Sequence, residues 1–319
     1  MDGLSLGIDT SNYTTSIALA GANGEVVYEK GILLQVKPGE RGLRQSEALY
    51  QHVKNLPVLF ESIPENLKIR ERLQVVCYSD RPRPLEDSYM PVFRAGIGCG
   101  KTIGSLFAIP AFAVSHQENH IRSAIYGSGM KPEELHFPLL ATHFSGGTSE
   151  ILLVNSRESG YDCKIAGATL DLNAGQLIDR VGVRLGYAFP AGKALEQLAS
   201  QAVERICVIP SNVDKMDFHF SGQENKAAAL LDSGTEPAEV AYGLHRCIAK
   251  TLSKAIALAA ATYGVGDVLF SGGVMSNQII RGLIEKELSR RRLRLHFTKP
   301  CYATDNAAGN ALLGIETMT

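Results

Sequence analysis

Two histidines four residues apart, His116 and His120, carry the side chains best suited to chemistry in this chain. At this spacing on a helix both imidazoles lie on one face, with Cβ atoms about 5–6 Å apart, so both can reach one metal ion. An apolar strand predicted before them and helical spacing after them place the pair at a strand–helix turn. Two solvated or core-edge histidines would give the same spacing. The pattern therefore predicts half of a metal site.

The acid between the histidines separates this pattern from the His-Glu-x-x-His motif of zinc proteases. Glu118 stands two residues after His116, about 200° round a 3.6-residue helix, and so points away from the metal-facing side. The general base that such a protease needs is therefore missing.

Asp305 and His143 are the candidates for completing the site. Asp305 lies in the segment Thr304–Asn310, which is predicted to open the last helix, so a helix cap or a first-turn acid is the plain interpretation. As a third ligand it would add an oxygen donor to the two imidazoles and leave metal positions open for substrate. His143, just before a glycine turn, is a candidate fourth ligand.

Two glycine turns could hold a phosphate. Ser145-Gly146-Gly147-Thr148 joins two predicted strands, and its backbone N–H groups could face an anion, although a plain hairpin turn explains it equally. Gly272 and Gly273 follow a strand and precede a helix amino terminus, which favours anions, and Asn277 could bond a base or ribose. Asp179, on a helix that follows a strand, could hold a ribose hydroxyl or be a surface acid.

The segment Ala95–Thr102 fits a relaxed P-loop pattern, with alanine in the first place. A P-loop must follow a central strand, and the preceding Met90–Phe93 is short and interrupted by Pro91. A downstream strand that ends in a metal-binding aspartate is also not evident. These observations disfavour the P-loop interpretation.

The elements that must position these residues repeat along the chain. Hairpin turns at Ser11 and Ser145, 134 residues apart, each join two predicted strands and are followed by a third strand and then helices. This pattern indicates an internal duplication and an α/β fold of two lobes with an interlobe cleft, where ligands favour the loops. We predict lobes at residues 1–122 and 123–319, with the last helix (305–315) packing back on the first lobe.

Composition indicates an ordinary globular α/β protein. The chain has 319 residues, a net charge of −1, 45% hydrophobic and 20% charged residues, so any nucleic-acid contact must come from local basic patches such as Arg290–Arg294. Six scattered cysteines without a Cys-x-x-Cys pair argue for reduced thiols and against structural zinc. No signal peptide or membrane span is evident, and we expect a cytoplasmic protein without membrane contact.

Taken in order, the segments resemble the TsaD family, the tRNA threonylcarbamoyladenosine transferases once labelled O-sialoglycoprotein endopeptidases. The resemblance covers nearly the whole chain, and the ordered set is specific although each piece is short. The segments are Leu6-Gly-Ile-Asp-Thr-Ser, His116-x-x-x-His120, Phe144-Ser-Gly-Gly-Thr, Ala174-Gly-Gln-Leu-Ile-Asp, Phe189-Pro-Ala-Gly, Phe218-His-Phe-Ser-Gly, Ser271-Gly-Gly-Val-Met-Ser-Asn and Ala303-Thr-Asp-Asn-Ala-Ala.

The resemblance implies an actin-like ATPase fold, the duplicated ribonuclease H-like architecture of sugar kinases and Hsp70, with metal and nucleotide in the interlobe cleft. It places the metal ligands, for one divalent Fe or Zn ion, on His116, His120 and Asp305. It places contacts to ATP, AMP or an acyl-adenylate on the Ser145–Thr148 turn and on three further residues: Asp179, Gly192 and Asn277. The implied reaction transfers threonylcarbamoyl from its adenylate to the N6 amine of a tRNA adenosine. Implied partners are tRNA and a smaller actin-like paralogue bound through the first lobe.

The sequence departs from the family pattern near the expected reaction centre. After Asp-Thr-Ser the family has Cys-Asp-Glu-Thr, whereas this chain has Asn12, Tyr13, Thr14 and Thr15, and Gln176 replaces a glutamate. These changes suggest a divergent paralogue that keeps metal and nucleotide capture while the transfer step is in question. The alternatives are a catalytically reduced nucleotide- and metal-binding subunit and, after the older family label, a metalloendopeptidase.

Overall fold

The computed structural model describes residues 3–11, 13–36, 43–85 and 88–318, so the substitution at Asn12 lies outside it. These residues form two compact units. The first contains the described residues up to Gly127, the segment Ser156–Cys163 and the chain from Thr304 onward. The second contains Ser128–Asn155 and Lys164–Ala303. Relative to the division expected from sequence, the first unit reaches five residues further and also takes in the Ser156–Cys163 segment.

Twelve strands are present in the described residues. They are β1 Leu4–Asp9, β2 Thr14–Gly21, β3 Val26–Leu33, β4 Leu73–Arg81, β5 Ala111–Ser115, β6 Leu139–Phe144, β7 Ser149–Ser156, β8 Tyr161–Ala168, β9 Asn212–Asp214, β10 Asp217–His219, β11 Asp267–Ser271 and β12 Arg294–Phe297.

The two five-stranded sheets have equivalent strand orders, which confirms the predicted duplication. The first sheet runs β3-β2-β1-β4-β5 and the second runs β8-β7-β6-β11-β12. In each, the first strand along the chain pairs antiparallel with its hairpin partner and parallel with the strand on its other side. β9 and β10 form a separate two-stranded hairpin.

Ten helices are assigned within the described residues. They are α1 Gln45–Glu61, α2 Ile69–Arg72, α3 Phe93–Phe107, α4 His116–Gly127, α5 Ala174–Arg184, α6 Gly192–Ser200, α7 Ser221–Asp232, α8 Pro237–Tyr263, α9 Gln278–Leu288 and α10 Ala308–Glu316, with short 3₁₀ turns at Glu65–Leu67, Pro132–Glu134, Gly273–Ser276 and Pro300–Tyr302. Among the residues described, no helix combines the length and apolar character needed to cross a bilayer.

Helix α3 explains the glycines of the P-loop-like segment. The sequence pattern predicts a short helix at Thr102–Phe107, but the helix begins at Phe93, nine residues earlier, and the whole of Ala95–Thr102 is helical. Gly96, Gly100 and Gly104 recur every fourth residue on its buried face, where a Cβ would come within 3.0 Å of Thr10, 2.4 Å of Tyr78 and 2.8 Å of Ala111, respectively. Close packing of the helix on the first sheet requires these glycines. The segment is not a phosphate loop.

Helix α10 closes the first unit. It begins at Ala308, so the expectation that it starts at Asp305 was wrong by three residues, and Asp305 lies in the preceding loop. A Cβ at Gly7 of β1 would lie 2.3 Å from the Ala307 carbonyl oxygen, and one at Gly314 would lie 2.3 Å from the Ser5 hydroxyl. The helix therefore packs in direct contact with the central strand of the first sheet.

Each unit has its own apolar core. The first is built from the inward faces of β1, β2 and β4 with α1 and α3, and the second from β6 and β11 with the long helix α8 and its neighbours. In the second core Phe144, Phe218 and Phe220 are fully buried and their rings contact in series. Turns follow the carboxyl ends of β1, β6 and β11, and α4 follows β5 directly.

Candidate functional site

A capping box fixes the start of the helix that carries both histidines. Ser115 ends β5 and Glu118 stands three residues later, as the capping pattern requires. The Glu118 carboxylate accepts hydrogen bonds from the Ser115 N–H at 2.8 Å and its hydroxyl at 2.7 Å, and the Glu118 N–H donates to Ser115 Oγ at 3.2 Å. The Ser-x-x-Glu spacing of a helix start is present in the sequence itself, at Ser115 and Glu118.

Glu118 is committed to this structural task. Its side chain is buried, and its second oxygen accepts from the Tyr161 N–H at 3.3 Å. Both carboxylate oxygens are therefore bonded to groups other than the two imidazoles. This arrangement agrees with the prediction that Glu118 does not face the histidine side of the helix.

The side chains of His116, His120 and Asp305 converge in the first unit. The Nε2 atoms of the two histidines are 2.9 Å apart, and Asp305 Oδ1 lies 3.3 Å from His120 Nε2 and 3.7 Å from His116 Nε2. Both imidazoles are buried and the aspartate is half-buried. Asp305 is therefore neither the cap of α10 nor part of its first turn, and its carboxylate faces the two histidines.

These separations fit one metal ion. Metal–nitrogen and metal–oxygen bonds of roughly 2.0–2.2 Å place two ligands of the same ion about 2.9–3.7 Å apart at ordinary coordination angles. The three ligand atoms all lie within 4.8 Å of one another. Two imidazoles and one carboxylate suit Zn²⁺ or Fe²⁺ and leave further positions for water or substrate. His143, the candidate fourth ligand, lies on β6 of the second unit and is not part of this cluster; its role stays a prediction.

Two residues that sequence reasoning did not single out lie behind His116. Asp9 ends β1 and is completely buried, with Oδ2 3.2 Å from His116 Nδ1, and the Ser11 hydroxyl lies 2.7 Å from the same nitrogen. The Asp9 carboxylate also accepts from the Ser11 hydroxyl. A carboxylate on one imidazole nitrogen fixes the tautomer and leaves the other nitrogen to face a metal. In the sequence, the position of Asp9 at the carboxyl end of the first predicted strand is the feature that could have indicated a role in the site.

The charges of this pair favour each other. Burial alone would raise the pKa of Asp9, but the adjacent His116 and the hydrogen bonds to the carboxylate outweigh it, so the pKa lies below its usual value. Burial would lower the pKa of His116, and the Asp9 carboxylate reverses this, so its pKa is raised. Asp9 is therefore an ionised, buried acceptor that can orient the imidazole.

In the second unit, the predicted Ser145–Thr148 turn joins β6 and β7. The Ser145 N–H donates to the Thr148 carbonyl at 2.8 Å, and Ser145 Oγ accepts from the N–H groups of Gly147 and Thr148 at 3.2 and 3.0 Å. The expectation that the N–H groups of this turn are free to face a phosphate was therefore wrong for Gly147 and Thr148. They converge instead on one oxygen, the geometry in which a turn also holds an anion.

Close packing at Gly175 and Gly272 brings three predicted motifs into contact at one end of the second sheet. A Cβ at Gly175, in the first turn of α5, would lie 2.7 Å from the Ser145 carbonyl oxygen. A Cβ at Gly272 would lie 2.2 Å from the Phe144 carbonyl oxygen, and its φ of +96° favours glycine. The Ser145 turn, the start of α5 and the turn after β11 are therefore in contact.

The remaining nucleotide candidates lie on the adjoining helix starts. Asp179 of α5 accepts from the Ala191 N–H at 2.8 Å, next to Gly192, and its burial raises the pKa of this acid above its usual value. Asn277 accepts from the Ile280 N–H at 2.9 Å, so its side-chain oxygen caps α9. The Gln278 N–H donates to Glu196 in the middle of α6 at 2.6 Å, which joins α6 to the start of α9.

The glycines at positions 146, 147, 192 and 273 have no packing role in the described structure. A Cβ added at Gly146, Gly147, Gly192 or Gly273 meets no described atom within 4 Å, and none of the four has a positive φ. Gly272 and Gly175 contrast with them, because backbone atoms of neighbouring turns block a side chain there. Open glycines at converging turns and helix amino termini are typical of surfaces that a phosphate approaches closely.

Solved structures with the same architecture identify the fold. Component A of (R)-2-hydroxyglutaryl-CoA dehydratase from Acidaminococcus fermentans is 17% identical with a TM-score of 0.58 and 99% coverage of both chains. HypF from T. kodakarensis is 14% identical with a TM-score of 0.60, over 99% of this chain and 48% of that one. A ROK family glucokinase from Streptomyces griseus is 12% identical with a TM-score of 0.55, and the match covers 98% of this chain and 99% of that one. The fold is that of the actin-like ATPases, as predicted.

Sequence comparison gives the family. The chain is 26% identical over 323 aligned residues to a tRNA N6-adenosine threonylcarbamoyltransferase from Neorickettsia sennetsu, covering 99% of this chain and 94% of that one. A relative of the same name from Archaeoglobus fulgidus is 25% identical over 313 residues, covering 98% and 90%. The TsaD family model, tRNA N6-adenosine threonylcarbamoyltransferase, matches residues 32–312. The chain therefore belongs to the tRNA N6-adenosine threonylcarbamoyltransferase family.

Proposed function

We propose that this protein is a metal-dependent, adenine-nucleotide-binding transferase that moves a threonylcarbamoyl group from its adenylate to the N6 amine of an adenosine in tRNA. The observation that supports it most directly is the convergence of His116, His120 and Asp305 in a chain of this family. Two imidazoles and a carboxylate at bonding separations have little reason to meet in a buried position without a shared proton or cation.

The three residues would hold one divalent ion, Fe or Zn, with Asp9 and Ser11 fixing the ring of His116 from behind. Such an ion supplies Lewis-acid polarisation of a carbonyl or phosphoryl oxygen. The protein's own contribution is a rigid set of ligands on α4 and on the loop before α10, so that the site is formed before substrate arrives.

The second unit would hold the adenylate. The open glycines at positions 146, 147, 192 and 273 leave room for a phosphate to approach the backbone closely. Asp179, at the junction of α5 and α6, is suited to accept from a ribose hydroxyl. Since the oxygen of Asn277 caps α9, only its amide N–H₂ is left to donate to a nucleotide.

Metal analysis tests the first part of the proposal. Protein purified without chelator should contain about one equivalent of Fe or Zn, and His120→Ala should reduce this below a tenth. His136→Ala, which removes an exposed histidine of the second unit, should retain the full content. Equal metal content in wild type and His120→Ala would reject the proposed site.

A transfer assay separates the proposal from its runner-up, a catalytically reduced subunit that binds nucleotide and metal. The replacement of the family's acidic pair by Tyr13 and Thr14 favours the runner-up, whereas Gln176 sits in the capping box of α5 and accepts from the Asn173 N–H at 3.3 Å, a task that glutamate or glutamine can perform. Incubation with threonylcarbamoyl adenylate and tRNA should yield modified adenosine. Product absent with metal bound and AMP binding intact would select the reduced subunit.

The assay should be run with and without the smaller actin-like paralogue that the family resemblance implies, because the first unit is the expected docking lobe.

The peptidase alternative is disfavoured by the buried and fully bonded Glu118.

A further inference from the structure

A buried polar network joins the helix that carries the two histidines to the loop that carries Asp305. Asn119 lies on α4 between His116 and His120 and is completely buried. Its Nδ2 donates to the Asn306 carbonyl at 2.6 Å, and its Oδ1 accepts from the Asn310 N–H at 2.8 Å. One side-chain amide therefore bonds the residue after Asp305 and the first turn of α10 at the same time.

Asn306 is held from both sides. Ser123, one turn along α4 from Asn119, donates from its hydroxyl to Asn306 Oδ1 at 2.6 Å, and the same oxygen accepts from the Ala308 N–H at 2.9 Å. Asn306 Nδ2 donates to the Thr304 carbonyl at 2.8 Å. The backbone is therefore hydrogen-bonded on both sides of Asp305. The Asn306 carbonyl after it is bonded to α4, and the Thr304 carbonyl before it is bonded to the Asn306 side chain.

The third asparagine extends the network to the central strands. Asn310 Nδ2 donates to the Ile8 carbonyl at 2.7 Å and to the Ser79 hydroxyl at 2.9 Å. Ile8 precedes Asp9, the partner of His116. The elements that hold all three metal-facing side chains therefore share one set of hydrogen bonds inside the first unit.

Packing enforces the same geometry. A Cβ at Gly309 would lie 2.0 Å from the Asn119 carbonyl oxygen, and the Gly309 N–H donates to Ser123 Oγ at 2.8 Å. An apolar contact between α4 and α10 would tolerate sliding, whereas the directional hydrogen bonds that Asn119, Ser123 and Asn306 make across this contact are formed in one register only. Burying three asparagines costs desolvation that apolar residues would avoid, so the network is better explained by positioning than by stability.

We propose that Asn119 and Ser123 are positioning residues of the metal site: acting through Asn306, they hold Asp305 at ligand distance from His116 and His120. This inference rests on the proposed metal site and adds residues that touch neither the metal nor the substrate. It predicts that their loss weakens the contribution of one ligand, Asp305, and leaves the two histidines in place.

The test is a double-mutant cycle on metal affinity. Metal-free full-length protein is titrated with Zn²⁺ against a chromophoric chelator, and with Co²⁺ to record the visible absorption of the bound ion. Asn119→Ala and Ser123→Ala should each weaken Zn²⁺ binding by about 10–100-fold, the usual effect of removing an outer partner of a ligand. The Co²⁺ spectrum of Asn119→Ala should shift towards that of Asp305→Ala. In the Asp305→Ala background, Asn119→Ala should cause no further loss.

Asn55→Ala is the matched control. Asn55 donates to Thr15 in the same unit at 3.1 Å, and this contact does not involve the network, so the variant should keep wild-type Zn²⁺ affinity whatever its melting temperature. Ser123→Ala removes only one oxygen and serves if Asn119→Ala does not fold. Wild-type affinity in both network variants, or an undiminished loss in the Asp305→Ala background, would overturn the inference. Absence of Zn²⁺ binding by the wild type would instead reject the proposed metal site itself.

Discussion

At the scale of single residues, the candidate site includes two buried acids that are hydrogen-bonded by their neighbours. Asp9 is fully buried, yet its pKa is lowered because His116 and Ser11 bond the carboxylate. Glu118 is buried as well and is satisfied by Ser115 and Tyr161. Neither acid is accessible to substrate in this arrangement. Their common role is to fix where the ligands of α4 point.

His245 offers a test of burial without a charged partner. It is completely buried on α8, donates from Nδ1 to the Ala241 carbonyl at 2.7 Å, and burial lowers its pKa to about 4. Between pH 6.5 and 4 the unfolded chain binds a proton that the folded protein does not, so this contribution to stability is complete above pH 6.5 and is lost as the pH falls towards 4.

Urea unfolding should therefore show about 2 kcal/mol less stability at pH 5 than at pH 7 from this residue. His245→Leu should remove that part of the pH dependence, while the exposed His136→Leu should not. An unchanged pH dependence in His245→Leu would show that other groups account for it.

At the scale of elements, glycines decide which turns can meet. Gly272 has a φ of +96° and packs on the Phe144 backbone, whereas Gly273 beside it faces no described atom. The same substitution should therefore have different effects at the two positions. Gly272→Ala should lower the free energy of unfolding by about 1–3 kcal/mol, because a Cβ is both strained and obstructed there.

Gly273→Ala should leave the melting temperature of the free protein unchanged but reduce the stabilisation by AMP at least by half, because the new methyl group lies where a phosphate would approach. Thermal melts with and without AMP measure both effects. Gly282→Ala, on the exposed side of α9 and equally open, is the control and should keep the full AMP response. A normal AMP response in Gly273→Ala would contradict the proposed phosphate position.

At the scale of the whole molecule, the two groups of candidate site residues lie in different units of the duplicated fold. All three metal-facing residues lie in the first unit, and all the predicted nucleotide contacts lie in the second. A bound ion should stabilise the folded chain by mass action, by about 2.7 kcal/mol at a free concentration of 100 times Kd.

Removal of metal by a chelator should therefore lower the unfolding midpoint of wild-type protein and leave that of His120→Ala unchanged. Differential scanning calorimetry of both proteins, before and after chelation and after metal is restored, measures this. Equal sensitivity of both proteins to the chelator would place the stabilising ion elsewhere.

The sequence by itself determined the features that depend on short-range pattern. The sequence pattern predicts strands at Leu4–Thr10, Thr14–Ala20 and Val26–Leu33, which agree with β1, β2 and β3 to within one residue, because buried strands leave a local apolar pattern. Spacing of four put His116 and His120 on one helical face, and ordered short motifs carried the family. The repeated hairpin pattern predicted the duplicated sheets.

Only the tertiary structure decided the features that join distant segments. The glycines of α3 resemble a phosphate loop in the sequence. They are explained by the close packing of the helix on the first sheet, which only the tertiary structure shows. Asp9 lies 107 positions before His116, and Asn119 lies 187 positions before Asn306, so no local periodicity relates the members of either pair. Side-chain type showed that a metal site was possible. The packing of α4 against α10, and of α10 on β1, brings His116, His120 and Asp305 together.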